Sequence, residues 1–250
     1  MNDLYKIFEN TKLFSSKHYK YFSCYEELLN KYINKKIILV EIGVLNGGSL
    51  QMWKEYLGGN ARIIGIDSSD EVKKLKKYGF EIFVGDQSDP SFWKNFFSKV
   101  GKIDILIDDG GHTNIQQIVT LTSSIQNIKD DGIIIVEDTH SSYMKKFNNP
   151  NKYSFINFMK KTIDDLNSKF PNLKKFKYSL SDYVYSIIFY ESMVGIKINR
   201  KRCKENKKVN NKGLKANIID MRVLTEKKNF LSKLFHKLLF LKNDIKKFFS

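Results

Sequence analysis

Cysteine is scarce in this chain. Cys24 and Cys203 stand far apart and form no metal-ligand spacing. That excludes a disulfide framework and points to a reducing cytoplasm. No run approaches the roughly 20 apolar residues needed to span a bilayer. The N-terminus "MNDLYKIFENTKLF" lacks the long apolar core of a secretion signal. Alanine and proline are sparse where Asn, Lys, Ile and Phe abound, the bias of an AT-rich bacterial genome, which says nothing of function. Acidic charge is lacking in one region only. Residues 200–250 hold 16 Lys/Arg against 4 Asp/Glu, while residues 1–199 hold 27 against 23. The net charge of +16 therefore describes a tail, not a fold. No RNA-binding motif accompanies it, so nucleic acid is not the expected partner.

What is present is enough for one α/β domain with an appendage. The chain has 250 residues, 42% of them hydrophobic and 28% charged, which is globular rather than disordered. Residues 1–36 read as a helical segment with apolar spacing at Tyr21, Tyr25, Leu28, Leu29 and Tyr32. Five short β-branched runs follow: "KIILVEIG", "ARIIGID", "FEIFVGD", "IDILIDD" and "GIIIVED". Helix-length segments separate them, at Ser49–Tyr56, Glu71–Tyr78, Ser91–Val100 and Thr113–Ile128. Apolar strands alternating with helices imply a parallel sheet covered on both faces. A helix over Ser154–Phe170 and a closing hairpin with its turn near Glu191–Gly195 complete the domain, 37–199. Residues 200–228 read as a basic linker. Residues 229–250 read as a basic amphipathic helix, suited to an anionic lipid surface or to docking on the body of a dimer.

Acids recur where these strands end, and ligands of open α/β sheets bind beyond the carboxyl ends of strands. "EIGVLNGGSL" carries Gly43, Gly47 and Gly48, a turn that brings backbone close to a ligand. Asp67 ends the second run and suits a pair of ribose hydroxyls; Asp86 ends the third. Together they suit an adenosine-containing cofactor. The fourth and fifth runs end in Asp108–Asp109 and Glu137–Asp138. One helix joins them, so they are expected as neighbours about 4.8 Å apart. Carboxylates that close repel unless protonated or bound to a cation. A hard divalent ion held by Asp109, Glu137 and Asp138 answers that repulsion. His112 and His140 follow the two pairs and are the candidate general bases.

In this order, "EIGVLNGGSL", "GID", "GDQSD", "IDDGGH" and "VEDTHSSY" resemble class I S-adenosylmethionine-dependent methyltransferases. More narrowly they resemble the metal-dependent sugar O-methyltransferases of macrolide biosynthesis, their relatives in polysaccharide loci and proteins named for cephalosporin hydroxylation. The likeness covers about residues 37–145. It implies a Rossmann-like, doubly wound, mostly parallel sheet of seven strands. It implies S-adenosyl-L-methionine near Glu41, Gly43, Gly47, Ser49, Asp67, Asp86 and Gln87, with Asp108 at the methionine end. It also implies Mg²⁺ or Mn²⁺ at Asp109, Glu137 and Asp138, and His112 as base. The expected acceptor is a sugar hydroxyl, as in a capsular polysaccharide precursor; an anionic phosphate or phosphoramidate is the alternative. An iron-dependent hydroxylase using histidines and a carboxylate, and a non-catalytic membrane adaptor, are weaker readings. The family's large N-terminal domain has no counterpart in the 36 residues before the first strand, which leaves homo-oligomerisation open.

Overall fold

The computed structural model describes residues 4–147, 152–169, 176, 178–204, 206, 208–214, 216 and 218. Two short helices, α1 (Leu4–Glu9) and α2 (Tyr21–Leu29), precede the sheet. Strands β1 (Ile38–Ile42), β2 (Arg62–Asp67), β3 (Glu81–Val84), β4 (Ile103–Asp108) and β5 (Ile128–Val136) are parallel. The hairpin β6 (Val184–Tyr190) and β7 (Met193–Ile198) adds two strands, with β7 antiparallel to β5. The order is β3-β2-β1-β4-β5-β7-β6. The five expected strands and the hairpin are thus all present in one seven-stranded sheet. Glu191 and Ser192 make the hairpin turn. Gly195 lies within β7 instead, where Leu28 packs closely against it.

Helices α3 (Gly48–Leu57), α4 (Pro90–Val100), α5 (Asn114–Ser124) and α6 (Phe155–Ser168) fill the gaps. Their starts are chemically marked. Asp89 caps α4 with Pro90 at its first position, Thr113 and Gln116 form a reciprocal capping box on α5, and Ser154 caps α6. The segment at Asp70–Tyr78 is a 3-10 helix, in which only Val72 and Leu75 are buried between lysines. Helix α5 is shorter than expected: a 3-10 turn follows it, and Ile128 already belongs to β5.

Strand side chains alternate between faces, and the two cores follow that parity. Leu39, Ile105, Ile107, Ile133 and Ile135 pack toward α2 and α3 with Tyr25 and Trp53. Val40, Ile42, Leu106, Ile134 and Val136 pack toward α4, α5 and α6 with Trp93 and Phe96. Residues 207–250 separate as a second unit. Their described residues carry no helix or strand, and the amphipathic helix expected over 229–250 lies outside the described residues. Among the described residues no helix is long and apolar enough to cross a membrane.

Candidate active site at the carboxyl ends of the strands

The strand order reverses between β1 and β4, the switch point where α/β sheets open a ligand crevice. A cavity of about 440 Å³ opens there, lined by Gly43, Leu45, Asp67, Asp86, Gln87, Asp109, His112 and Asp138, with Ser16 at its edge. Gly43 is at φ 87°, and a Cβ there would lie 2.0 Å from the Asp109 carbonyl oxygen. Only glycine lets the ends of β1 and β4 come this close. Asp67 accepts from the Val44 and Ser69 amides, at 3.0 Å each, which fixes its carboxylate at the cavity wall. The Ser88 amide and hydroxyl hold the Asp86 carboxyl below its ordinary range.

Parity sorts the acids. Glu41 pairs across the sheet with Ile107, and Ile107 with Ile135. Glu41, Asp109 and Glu137 therefore continue the α2/α3 face, and they meet there. They surround the ammonium of Lys17, with Nζ 2.6 Å from Asp109 Oδ2, 3.0 Å from Glu137 Oε1 and 3.4 Å from Glu41 Oε1. Glu41 also accepts from Ser49 Oγ (2.6 Å) and Trp53 Nε1 (3.1 Å). Burial works against the Lys17 charge, but Glu137, Asp109 and Glu41 outweigh it and hold its pKa above the ordinary value. Burial pushes the carboxyls of Glu137 and Glu41 up. Asp108, on the opposite face, is fully buried. Its Oδ1 accepts from Gln87 Nε2 at 2.9 Å and the Gly110 amide at 3.2 Å, and burial raises its pKa.

A second set opens to the cavity. His112 Nε2 is 3.4 Å from Asp138 Oδ2 and 4.0 Å from Asp109 Oδ1, and each of these side chains is about a quarter exposed. Ligand atoms of Asp109, His112 and Asp138 all lie within 4.8 Å of one another. Asp138 and His112 both have positive φ, 52° and 57°, an arrangement uncommon outside glycine and concentrated at functional sites. Tyr21 supports this set: its hydroxyl donates to Asp138 Oδ1 at 2.6 Å and accepts from the Asp138 amide at 3.2 Å. Burial, then Asp138, raises the Tyr21 pKa. Two partly exposed carboxylates beside an imidazole fit a hard divalent cation that keeps several waters.

The expected residues thus divide. Gly43, Asp67, Asp86, Gln87, Asp109, His112 and Asp138 line the cavity. Glu41, Gly47, Ser49 and Asp108 do not; they stand behind the wall and hold it. Glu137 faces Lys17 rather than the cavity. His140 lies with His18 beside Asp138, ligand atoms of the three within 4.8 Å of one another, its ring 5.7 Å from that of His18. It lines a separate cavity of about 460 Å³ with Tyr143, Phe189 and Tyr190. Sequence reasoning missed Lys17 and the role of Tyr21. Lys17 carries no local signal, and Tyr21 reads as one more apolar position of a helix face.

The sheet order is that of the class I methyltransferase fold, and a solved methyltransferase superposes on the chain. Its similarity narrows further, to sugar O-methyltransferases of antibiotic biosynthesis. An 8-demethyl-8-alpha-L-rhamnosyl tetracenomycin-C 2'-O-methyltransferase of Streptomyces olivaceus is 28% identical over 163 residues, 61% of this chain and 43% of that protein. Demethylmacrocin O-methyltransferase of Streptomyces fradiae is 27% identical over 154 residues, 57% of this chain and 38% of that protein. The chain thus spans less than half the length of these curated relatives. Among solved structures, the MycE methyltransferase of the mycinamycin pathway, in complex with Mg, SAH and mycinamycin VI, superposes with a TM-score of 0.73. It is 22% identical, over 91% of this chain and 59% of that one. No protein-family model matches the chain.

Proposed function

We propose that this chain is an S-adenosylmethionine-dependent, divalent-cation-dependent O-methyltransferase acting on a sugar hydroxyl. The observation that carries the reading is one cavity with two chemistries in its wall. Asp67 and Asp86 stand at one end, and Asp109, His112 and Asp138 at the other. The first end suits a nucleoside and the second a cation with an acceptor oxygen. The tetracenomycin relative is by name a 2'-O-methyltransferase of a rhamnosyl compound, which supports the same acceptor class. When bound, S-adenosylmethionine would supply an electrophilic methyl group, and Mg²⁺ or Mn²⁺ a charge that acidifies the acceptor hydroxyl. Asp67 binds the ribose hydroxyls. Asp109 and Asp138 hold the cation, and His112 takes the acceptor proton at Nε2. The aromatic cavity beyond His140 offers Tyr143 and Phe189 to an acceptor's apolar face. A polysaccharide precursor is the acceptor we favour.

A second reading, an anionic phosphate or phosphoramidate acceptor, is supported by one feature. A cavity of about 580 Å³ starts at Thr113, beside His112, and carries Lys146, Lys152 and Lys161 in its lining. Purified chain with methyl-labelled cofactor and Mg²⁺ decides between them across nucleotide sugars, polysaccharide and phosphoramidate acceptors. Label on a sugar oxygen, lost on chelation and restored by Mg²⁺, is the expected result. Transfer that survives thorough chelation overturns the cation's part, and label on a phosphoryl oxygen alone overturns the sugar.

A further inference from the structure

Lys17 sits on a segment without helix or strand between α1 and α2, residues 10–20. That segment is strapped over the start of α3. The Lys12 and Leu13 amides donate to Gln51 Oε1 at 3.0 and 3.3 Å, and the Gly48 amide donates to the Phe14 carbonyl at 3.3 Å. Gly48 has no room for a Cβ beneath it, since the Leu13 carbonyl oxygen would lie 2.4 Å away. The strap delivers an ammonium whose side chain is 2% exposed into the inner acids. Ammonium and divalent ion cannot occupy one point, because like charges at that range repel strongly. Asp109 is the residue the two sets share: Oδ2 meets Lys17, and Oδ1 faces His112.

We propose that Lys17 is the resident cation of Glu41, Asp109 and Glu137, a positioning residue that confines the divalent ion to Asp109 and Asp138. This rests on the cation-dependent reading above. Lys17 saturates one oxygen of Asp109 and leaves the other for the ion. Glu137 is then the partner of Lys17 and not a metal ligand. The strap couples that arrangement to the glycine turn through Gln51 and Gly48.

Mn²⁺ titration of the full chain, followed by electron paramagnetic resonance and free of any turnover, tests this. Wild type is expected to bind one ion. Glu137→Gln should weaken binding by about ten- to a hundredfold, as for a residue outside the coordination shell, and Asp138→Asn, which removes a ligand, by more than that. Lys17→Met frees the inner acids, so Mn²⁺ should bind about tenfold tighter or more. That gain should vanish in Lys17→Met/Glu137→Gln, which also removes both members of the pair and folds where the single variant does not. Equal losses in Glu137→Gln and Asp138→Asn overturn the proposal, because the ion would then displace Lys17. So does a Lys17→Met protein that titrates like wild type. Wild type that binds no Mn²⁺ while Lys17→Met does sustains Lys17 and overturns the cation dependence; no binding in either overturns both.

Discussion

The inner and outer groups of this site lie a few ångströms apart and meet opposite fates. Glu41 and Glu137 are buried around an ammonium; Asp138 and His112 are a quarter exposed beside a cavity. Glu137 and Asp138 are adjacent in sequence, as are Asp108 and Asp109, yet each pair splits. Burial gives the inner set rigidity at the cost of desolvation, so it needs a fixed counter-charge. Water access gives the outer set exchangeable ligand positions. Catalysis is expected from the second and preorganisation from the first.

Variants break this comparison in order of size. His112→Ala belongs to the outer set and should lower turnover about 10²- to 10⁴-fold. Cofactor binding, read by calorimetry, and thermal stability should stay near wild type; unchanged turnover would remove His112 as base. Gly43→Ala strikes the point both sets share. Its Cβ would drive into the Asp109 carbonyl at positive φ, so a loss of about 1–3 kcal/mol in denaturant unfolding is expected, along with weaker cofactor binding. Tyr21→Phe removes the donor to the Asp138 carboxylate, together with the contacts of the same hydroxyl to the Asp138 amide and the Ser192 carbonyl, and should cost about 1.5–3 kcal/mol. It should also loosen Mn²⁺, while a Mn²⁺ affinity equal to wild type would show that Asp138 needs no such anchor.

The smallest effect is a pH slope. Burial raises the Asp108 pKa above its ordinary 3.8, so the folded state favours its protonated form. Its contribution to stability is full below pH 3.8 and is lost as pH rises through the raised folded value. Asp108→Asn is neutral throughout. Its melting temperature should match wild type in acid and gain on it as pH rises; parallel curves would mean that Asp108 does not titrate in that window.

Much of this was legible from residues. The five runs from "KIILVEIG" to "GIIIVED" are strands because Ile and Val on both parities fit a doubly covered sheet. The acids at their ends point to the crevice, and Gly43 marks the turn. Strand parity alone also places Glu41, Asp109 and Glu137 on one face. The expectation of a single trio of Asp109, Glu137 and Asp138 counts proximity and not parity, and in the structure Glu137 meets Lys17 while Asp109 and Asp138 line the cavity. Asp138 escapes parity through its left-handed backbone, which no residue type announces. Lys17 was illegible for another reason: it lies 92 residues from Asp109 and 120 from Glu137, in a segment with no periodic pattern.

The sheet, its strand ends and the congregation of acids there follow from the residues alone, because hydrophobic period and turn chemistry act locally. Which acids are dry and which are wet follows from the folded arrangement. That choice depends on where a strap from the N-terminus delivers one ammonium, and on the long-range pairing of charges that burial makes obligatory.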